Sequence, residues 1–298
     1  LAYSIKTGQD LTVVPTNAIL SGNPEAITAL SKNIKSIHAN NVLNGTVGSL
    51  NPFSTQQQSE LKQFWEKARP GDKLNLVTSL YKSSAGNANA SRDMINSIAG
   101  ESGSYRLSAS LNNRGLQDIA GQIITGQDLI EKGLVKVDEN GLTKQTETYL
   151  AGITSPGKPD FQIYLDSIKA NYAYLVQKAE KVTDTKGNSL NKTIDEELFN
   201  RAAKNVTGGK FTSGGFFGSK SVVLRPHTVG EKSFREQLET FNSRNARNYG
   251  GSDKDFFLDL PLEQDPKNPY VYYFKNGTKY IMDATDKKRQ TRLTFKVR

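Results

Sequence analysis

Apolar residues recur every three or four positions over most of the chain, and every second position only near its end. That change of period separates a helical body from a strand-rich terminus. Asn23-Pro24-Glu25 supplies a cap residue, a proline at the first helical position and an acid at the positive end of the helix dipole. Ile27, Leu30, Ile34 and Ile37 follow on one face, predicting a helix to about Asn40. A second helix is predicted from about Thr55, with Leu61, Phe64, Trp65 and Ala68 on one side and Pro70-Gly71 as its stop. Asp72 is expected to cap a third, with Leu74, Val77, Leu80 and Tyr81 inward, and Ser91 a fourth, with Met94, Ile95 and Ile98 inward. Another is expected around Gly115 to Thr125, presenting Leu116, Ile119, Ile123 and Ile124. Residues 131–160 read as a break. The strongest stripe then runs from Pro159-Asp160 to about Val182 through Phe161, Leu165, Ile168, Tyr172, Leu175 and Ala179. Capping boxes are expected at Thr193–Glu196 and Ser233–Glu236, and Gly208-Gly209 ends the helix of Leu198, Phe199, Ala202 and Val206.

The strand-like end reads YVYYFKNGTKYIMD over residues 270–283. Asn276-Gly277 suits a two-residue type I′ hairpin, which predicts Tyr273 opposite Tyr280 and Val271 opposite Met282. Arg292 to Val297 adds a third strand. The fold expected is therefore mainly α: one or more irregular helical bundles with a small C-terminal three-stranded antiparallel β-meander. Its domains are expected at 1–155 (helical), 156–250 (helical, with a glycine-rich loop) and 251–298 (the β-module). The edges of such a meander carry backbone groups able to accept a partner strand.

Cysteine is absent, which excludes disulfides, thiolate nucleophiles and cysteine-based metal or iron–sulfur sites. The formal charge of +9 is unevenly placed. Nine Lys and Arg residues against Asp283 and Asp286 give the segment from Lys267 to Arg298 a net +7, and Asp253, Asp255, Asp259, Glu263 and Asp265 lie just upstream. Such separation points to charge-matched contacts or an anionic partner, through Lys279, Lys287, Lys288, Arg289, Arg292, Lys296 and Arg298. The plainer alternative is a solvated basic edge that discourages sheet aggregation. The start, LAYSIKTGQDLTVV, lacks a signal-peptide pattern and reads as a fragment or a processed product.

Motifs for chemistry are sparse. His38 and His227 have no acid or nucleophile at a recognisable spacing. GGKFTSGGFFGSKS leaves three residues between Gly214 and Gly218 and places Ser219 before Lys220, so it is not a phosphate loop and reads as a flexible surface loop. No metal-ligand spacing occurs, and no cofactor is implied. Glu101-Ser102 followed by Arg114-Gly115-Leu116-Gln117 is similar to the catalytic pattern of lytic transglycosylases, which makes Glu101 the one candidate catalytic residue. A general acid of that kind is a buried carboxyl group. The competing reading puts Glu101 in solvent just past a helix end at Gly100.

Over about residues 120–298, loosely at GQIITGQDLI (121–130) and more closely from AAKNVTGG onward, the chain resembles the C-terminal region of large bacteriophage and prophage structural proteins, of the virion-associated transglycosylase or internal ejection type. Phe234 and Leu238, Asp259-Leu260-Pro261-Leu262, the tyrosine-rich strand, the glycine turn and the basic last strand carry the likeness. Extra residues near 263–268 and the DKKR turn depart from it. In that family the muramidase domain lies upstream of this region, so the resemblance does not extend catalysis to Glu101. It implies a virion structural protein, internal or tail-associated, located in the particle and in the host envelope or periplasm after delivery. Its partners would be other virion proteins and further copies of itself, with DNA or an anionic membrane met by the basic terminus. A peptidoglycan-cleaving enzyme using Glu101 and a non-specific nucleic-acid-binding protein are the alternatives.

Overall fold

In the computed structural model, the described residues are 11–179, 189–190, 194–213, 220–250, 255–265, 268–286, 288 and 290–298. Among them the chain is mainly α, with eleven helices and a small C-terminal antiparallel sheet. It divides into two units, Leu1–Leu142 with Gln162–Leu198, and Thr143–Phe161 with Phe199–Arg298. The expected boundary at 250 falls within the second unit, where Phe211, Phe234, Phe257 and Phe295 belong to one continuous core.

The first unit contains α1 (Thr16–Leu20), α2 (Pro24–Leu43), α3 (Thr55–Lys67), α4 (Pro70–Ser83), α5 (Ala88–Ala99), α6 (Gly103–Asn113) and α7 (Gln117–Glu131). Asn23 caps α2 as its sequence suggests, accepting from the amides of Glu25 and Ala26. Ser54 and Gln57 form a full capping box on α3. Asp72 is not a cap: α4 starts at Pro70, which fits the first helical position, and Asp72 sits in its first turn. Likewise α5 is opened by Asn87 rather than Ser91. The segment 103–113, which carries no apolar stripe in the sequence reading, is helical, with Ser102 capping it.

Helix α4 is buried on several sides and packs on α2, α5, α6 and α7. Thr78, Ser79 and Ser83 survive there because each hydroxyl donates to a carbonyl one turn back, Thr78 to Leu74 at 2.7 Å and Ser83 to Ser79 at 2.8 Å. Lys73 on the same helix is buried beside Asp128 of α7, with its Nζ 2.6 Å from Oδ1 and 5.1 Å from the Trp65 ring centroid. Lys132 reaches the other oxygen of Asp128 at 2.7 Å. Trp65 meets Tyr105 edge to face at 4.8 Å, and the Tyr105 hydroxyl donates to Glu131. Burial, then the Glu131 carboxylate, push that hydroxyl's pKa well up.

Helices α8 (Glu139–Leu150) and α9 (Pro159–Lys178) follow, with a two-residue β1 (Val135–Lys136) paired in parallel to β2 (Ser189–Leu190). α8 lies inside the stretch read as a break, and its fully buried Leu142 and Leu150 are the apolar anchors hidden there among polar neighbours. α9 buries Phe161, Leu165, Ile168, Tyr172 and Leu175 as its stripe predicts, whereas Ala179 is exposed just past the helix end; positions 180–182 of the predicted span and Thr193 of the predicted capping box lie outside the described residues. Gly126 of α7 meets the backbone of α9: a Cβ there would stand 1.7 Å from the Ala170 carbonyl oxygen. The interhelical contact is thus backbone on backbone, which only glycine permits.

In the second unit, α10 (Glu196–Thr207) ends at Gly208 and Gly209, with φ of 81° and 98°. The glycine-rich stretch is not wholly loop, since β3 (Lys210–Ser213) and β4 (Ser221–Leu224) pair antiparallel through four residue pairs. Its tip, 214–219, lies outside the described residues. Buried Arg225 fastens this hairpin by donating from Nε to the Lys210 carbonyl at 3.1 Å and from Nη1 to the Val229 carbonyl at 2.6 Å. Helix α11 (Glu231–Asn245) begins after Gly230, so Ser233 lies inside its first turn and the expected capping box is not formed.

The terminal sheet has four strands rather than three: β5 (Leu262–Gln264), β6 (Val271–Asn276), β7 (Lys279–Tyr280) and β8 (Thr294–Lys296). β6 is central, with β5 on one edge and β7 and β8 in succession on the other. The hairpin register is two residues away from the expected one. Lys275 faces Tyr280 and Asn276 faces Lys279, while Met282 bridges to Arg292. Gly277 takes the positive φ of 59° as the first of two turn residues, so Asn276 closes the strand. The inward residues Tyr272 and Phe274 of β6 and Phe295 of β8 pack on Phe234 and Phe241 of α11. Ring centroids there are 5.1 Å apart for Phe234 and Tyr272, and 5.2 Å for Phe241 and Phe274.

Candidate functional site

The strict alternation along β6 that buries Tyr272 and Phe274 puts Tyr273 and Lys275 on the outer face of the sheet. There the strands assemble a polar cluster. The Glu263 carboxylate pairs with the Lys275 ammonium and accepts from the Tyr280 hydroxyl at 2.6 Å. Asp265 accepts from the Tyr273 hydroxyl. The Arg292 guanidinium lies 3.8 Å from the Tyr280 ring centroid and 5.3 Å from that of Tyr273. Burial raises the pKa of Glu263, but hydrogen bonds from Lys275 and Tyr280 more than offset this and leave it below its usual value. The hydrogen bond to Glu263 raises that of Lys275.

Glu263 of the acidic stretch therefore meets Lys275 of the basic end within one sheet. Arg292 is a structural cation here, and Arg292→Ala is expected to lower the melting temperature by about 2–4 °C through loss of its ring contacts. Thermal denaturation followed by circular dichroism tests this; an unchanged midpoint would show that the stacking contributes nothing.

The remaining basic candidates separate into two places. Lys279 is exposed at the β6–β7 turn, and Lys288 is exposed in the loop before β8. Asp286 organises that loop, accepting from the amides of Lys288, Gln290 and Thr291 and from the Thr291 hydroxyl. These bonds hold its pKa down at about 2. Lys287 and Arg289 lie outside the described residues, as does Asp253. Lys296 and Arg298 stand apart from this loop, beside α11, where Arg244 joins them. Sequence reading missed Arg244, although Gln237, Thr240 and Arg244 share a polar face at helical spacing.

Glu101 is exposed in the turn between α5 and α6, following Gly100 at φ 86°. The apolar enclosure in which a general acid works is not built around it. His38 is exposed, while the Nε2 of His227 meets the carbonyls of Asn205 and Val206, at 2.8 and 3.2 Å. Among the described residues no group of three or more His, Cys, Asp or Glu is placed to hold a metal ion. No helix among them is long and apolar enough to cross a membrane.

The β5 edge is also not open in the way a bare meander's would be. Ser221 Oγ accepts from the Leu262 amide at 2.8 Å. The carbonyl of Leu224 on the adjacent β4 accepts from Gln264 and, at 2.7 Å, from the Tyr272 hydroxyl. Comparison of the chain with protein-family models, with curated proteins and with solved structures finds no match.

Proposed function

We propose that the chain is a structural module of a bacteriophage virion, internal or tail-associated, which assembles with further copies and with neighbouring virion proteins. The observation that supports assembly is an apolar edge at the end of α2. Val42, Leu43 and Val47 are 66%, 84% and 106% exposed, three aliphatic side chains within six residues facing water. Apolar groups grouped in this way gain free energy when a partner covers them. The kind of particle comes from the resemblance of the segment around Asp259-Leu260-Pro261-Leu262 and the tyrosine-rich strand to phage structural proteins.

Replacing Val42, Leu43 and Val47 together by serine is expected to abolish self-association in sedimentation velocity while leaving the melting temperature unchanged, because none of the three supports the core. Mass spectrometry of purified particles from a producing host is expected to find the wild-type chain. The reading fails if wild type stays monomeric at high concentration and is missing from particles. It is replaced by a hydrolytic one if the chain clears purified cell wall and Glu101→Gln abolishes the clearing.

A further inference from the structure

The other basic grouping lies on the second unit, between α11 and β8. A cleft of about 310 Å³ opens there, with Phe241 and Phe295 in its lining and Arg244, Lys296 and Arg298 around it. Gln237 fixes one end. Its Oε1 accepts from the Arg298 amide at 2.8 Å and its Nε2 donates to the Arg298 carbonyl at 3.0 Å, so the last residues are pinned along the helix. Some basic side chains of the chain meet acids, as Lys73 and Lys132 meet Asp128 and Lys275 meets Glu263. No Asp or Glu lines this cleft, and among the described residues no carboxylate forms a salt bridge with Arg244, Lys296 or Arg298.

Three exposed cations around a hollow where Phe241 is partly exposed, Phe295 being buried at 2%, suit a flexible polyanion that also carries flat apolar surface. We infer that this cleft binds single-stranded nucleic acid, with phosphates on Arg244, Lys296 and Arg298 and a base against Phe241. An acidic peptide satisfies the cations but presents a ring only where an aromatic residue falls among its carboxylates, whereas every nucleotide carries one. Stacking on Phe241 needs an unpaired base with a free face, which favours a single strand over a duplex. In a second copy, Glu263 and Asp265 are already engaged with Lys275, Tyr280 and Tyr273, which makes that part of its acidic stretch a poor occupant. No group here reads base identity, so the binding is not sequence-specific.

Three phosphate contacts predict that the logarithm of affinity falls against the logarithm of salt with a slope of about −2 for a single strand. The test is fluorescence anisotropy of a labelled oligothymidylate with the full chain over a salt series. Arg244→Glu with Lys296→Glu is expected to weaken binding at least about tenfold at low salt and to leave a slope shallower than about −1. Both residues are exposed, and an unchanged circular dichroism melt verifies that the variant is folded. Lys279→Glu, at the β6–β7 turn, is the charge control and is expected to change affinity less than about twofold. The inference is overturned if wild type shows no affinity at low salt, or if the control loses as much as the double variant. It is also overturned if polyglutamate or anionic vesicles displace the oligonucleotide at equal charge. It stands apart from the assembly reading, and the two fail separately. A chain that occurs in particles without binding the oligonucleotide sinks only this inference, and one that binds but is missing from particles sinks only the other.

Discussion

Gly126→Ala is expected to destabilise the first unit by about 3 kcal/mol, even though alanine is the better helix former. The methyl group would have to occupy a point 1.7 Å from the Ala170 carbonyl oxygen and 2.6 Å from its carbon. Neither atom belongs to a flexible side chain, so α7 and α9 must move apart, loosening the buried stripe of Ile168, Tyr172 and Ile123. Helix propensity returns only about 1 kcal/mol of that. Gly121 in the same helix provides the internal control, because a Cβ there meets nothing within 4 Å. Gly121→Ala should stabilise by up to about 1 kcal/mol through propensity alone. Urea denaturation of the two variants separates the effects. If both shift the midpoint in the same direction, the backbone contact is not what selects glycine at 126.

The second large effect is expected at Asp128. Asp128→Ala leaves Lys73 buried without its counter-ion, a change that typically costs about 3–5 kcal/mol. Lys73→Met with Asp128→Leu removes both charges and should recover most of that loss, since a buried pair offsets its own desolvation only in part. A double-mutant cycle by urea denaturation measures this; a double variant no more stable than Asp128→Ala would mean that the pair is a net source of stability.

Burial pushes the Asp128 carboxyl up, but hydrogen bonds from Lys132 and Lys73 outweigh it and hold the pKa below its ordinary 3.8. A carboxylate depressed on folding contributes stability that is fully present above that value and is lost as pH falls through the lower folded one. Acid unfolding of wild type should therefore show a contribution below about pH 3.8 that disappears in Lys73→Met with Asp128→Leu.

The helices are legible where a stripe of large aliphatic residues continues for three turns, as in α9, because burial of one face is what stabilises them. α6 and α8 are missed for the converse reason: Ser104, Ser108 and Thr146 are buried on them, and polar letters hide an inward face. Serine there is invisible to periodicity, though Ser108 satisfies itself on the Ser104 carbonyl at 2.8 Å. Helix starts read well at Asn23 and badly at Asp72 and Ser91, since proline or asparagine two to four residues earlier takes the role. The hairpin is recognised but its register is not, because Asn276 and Gly277 do not both turn; Gly277 and Thr278 do. At the basic end, composition identifies cations without distinguishing their tasks. Arg292 stacks on tyrosines and Lys275 pairs with Glu263, whereas Lys296 and Arg298 meet Arg244, a residue 52 and 54 positions away that no local pattern connects to them.

The stitching of β5 to its neighbour through Ser221, Gln264 and Tyr272 limits how the molecule can multiply. Ser221 occupies the Leu262 amide and β4 lies alongside, so an incoming strand finds one of the β5 backbone groups it would need already bonded. Growth of a ribbon by that route is thereby disfavoured at high concentration.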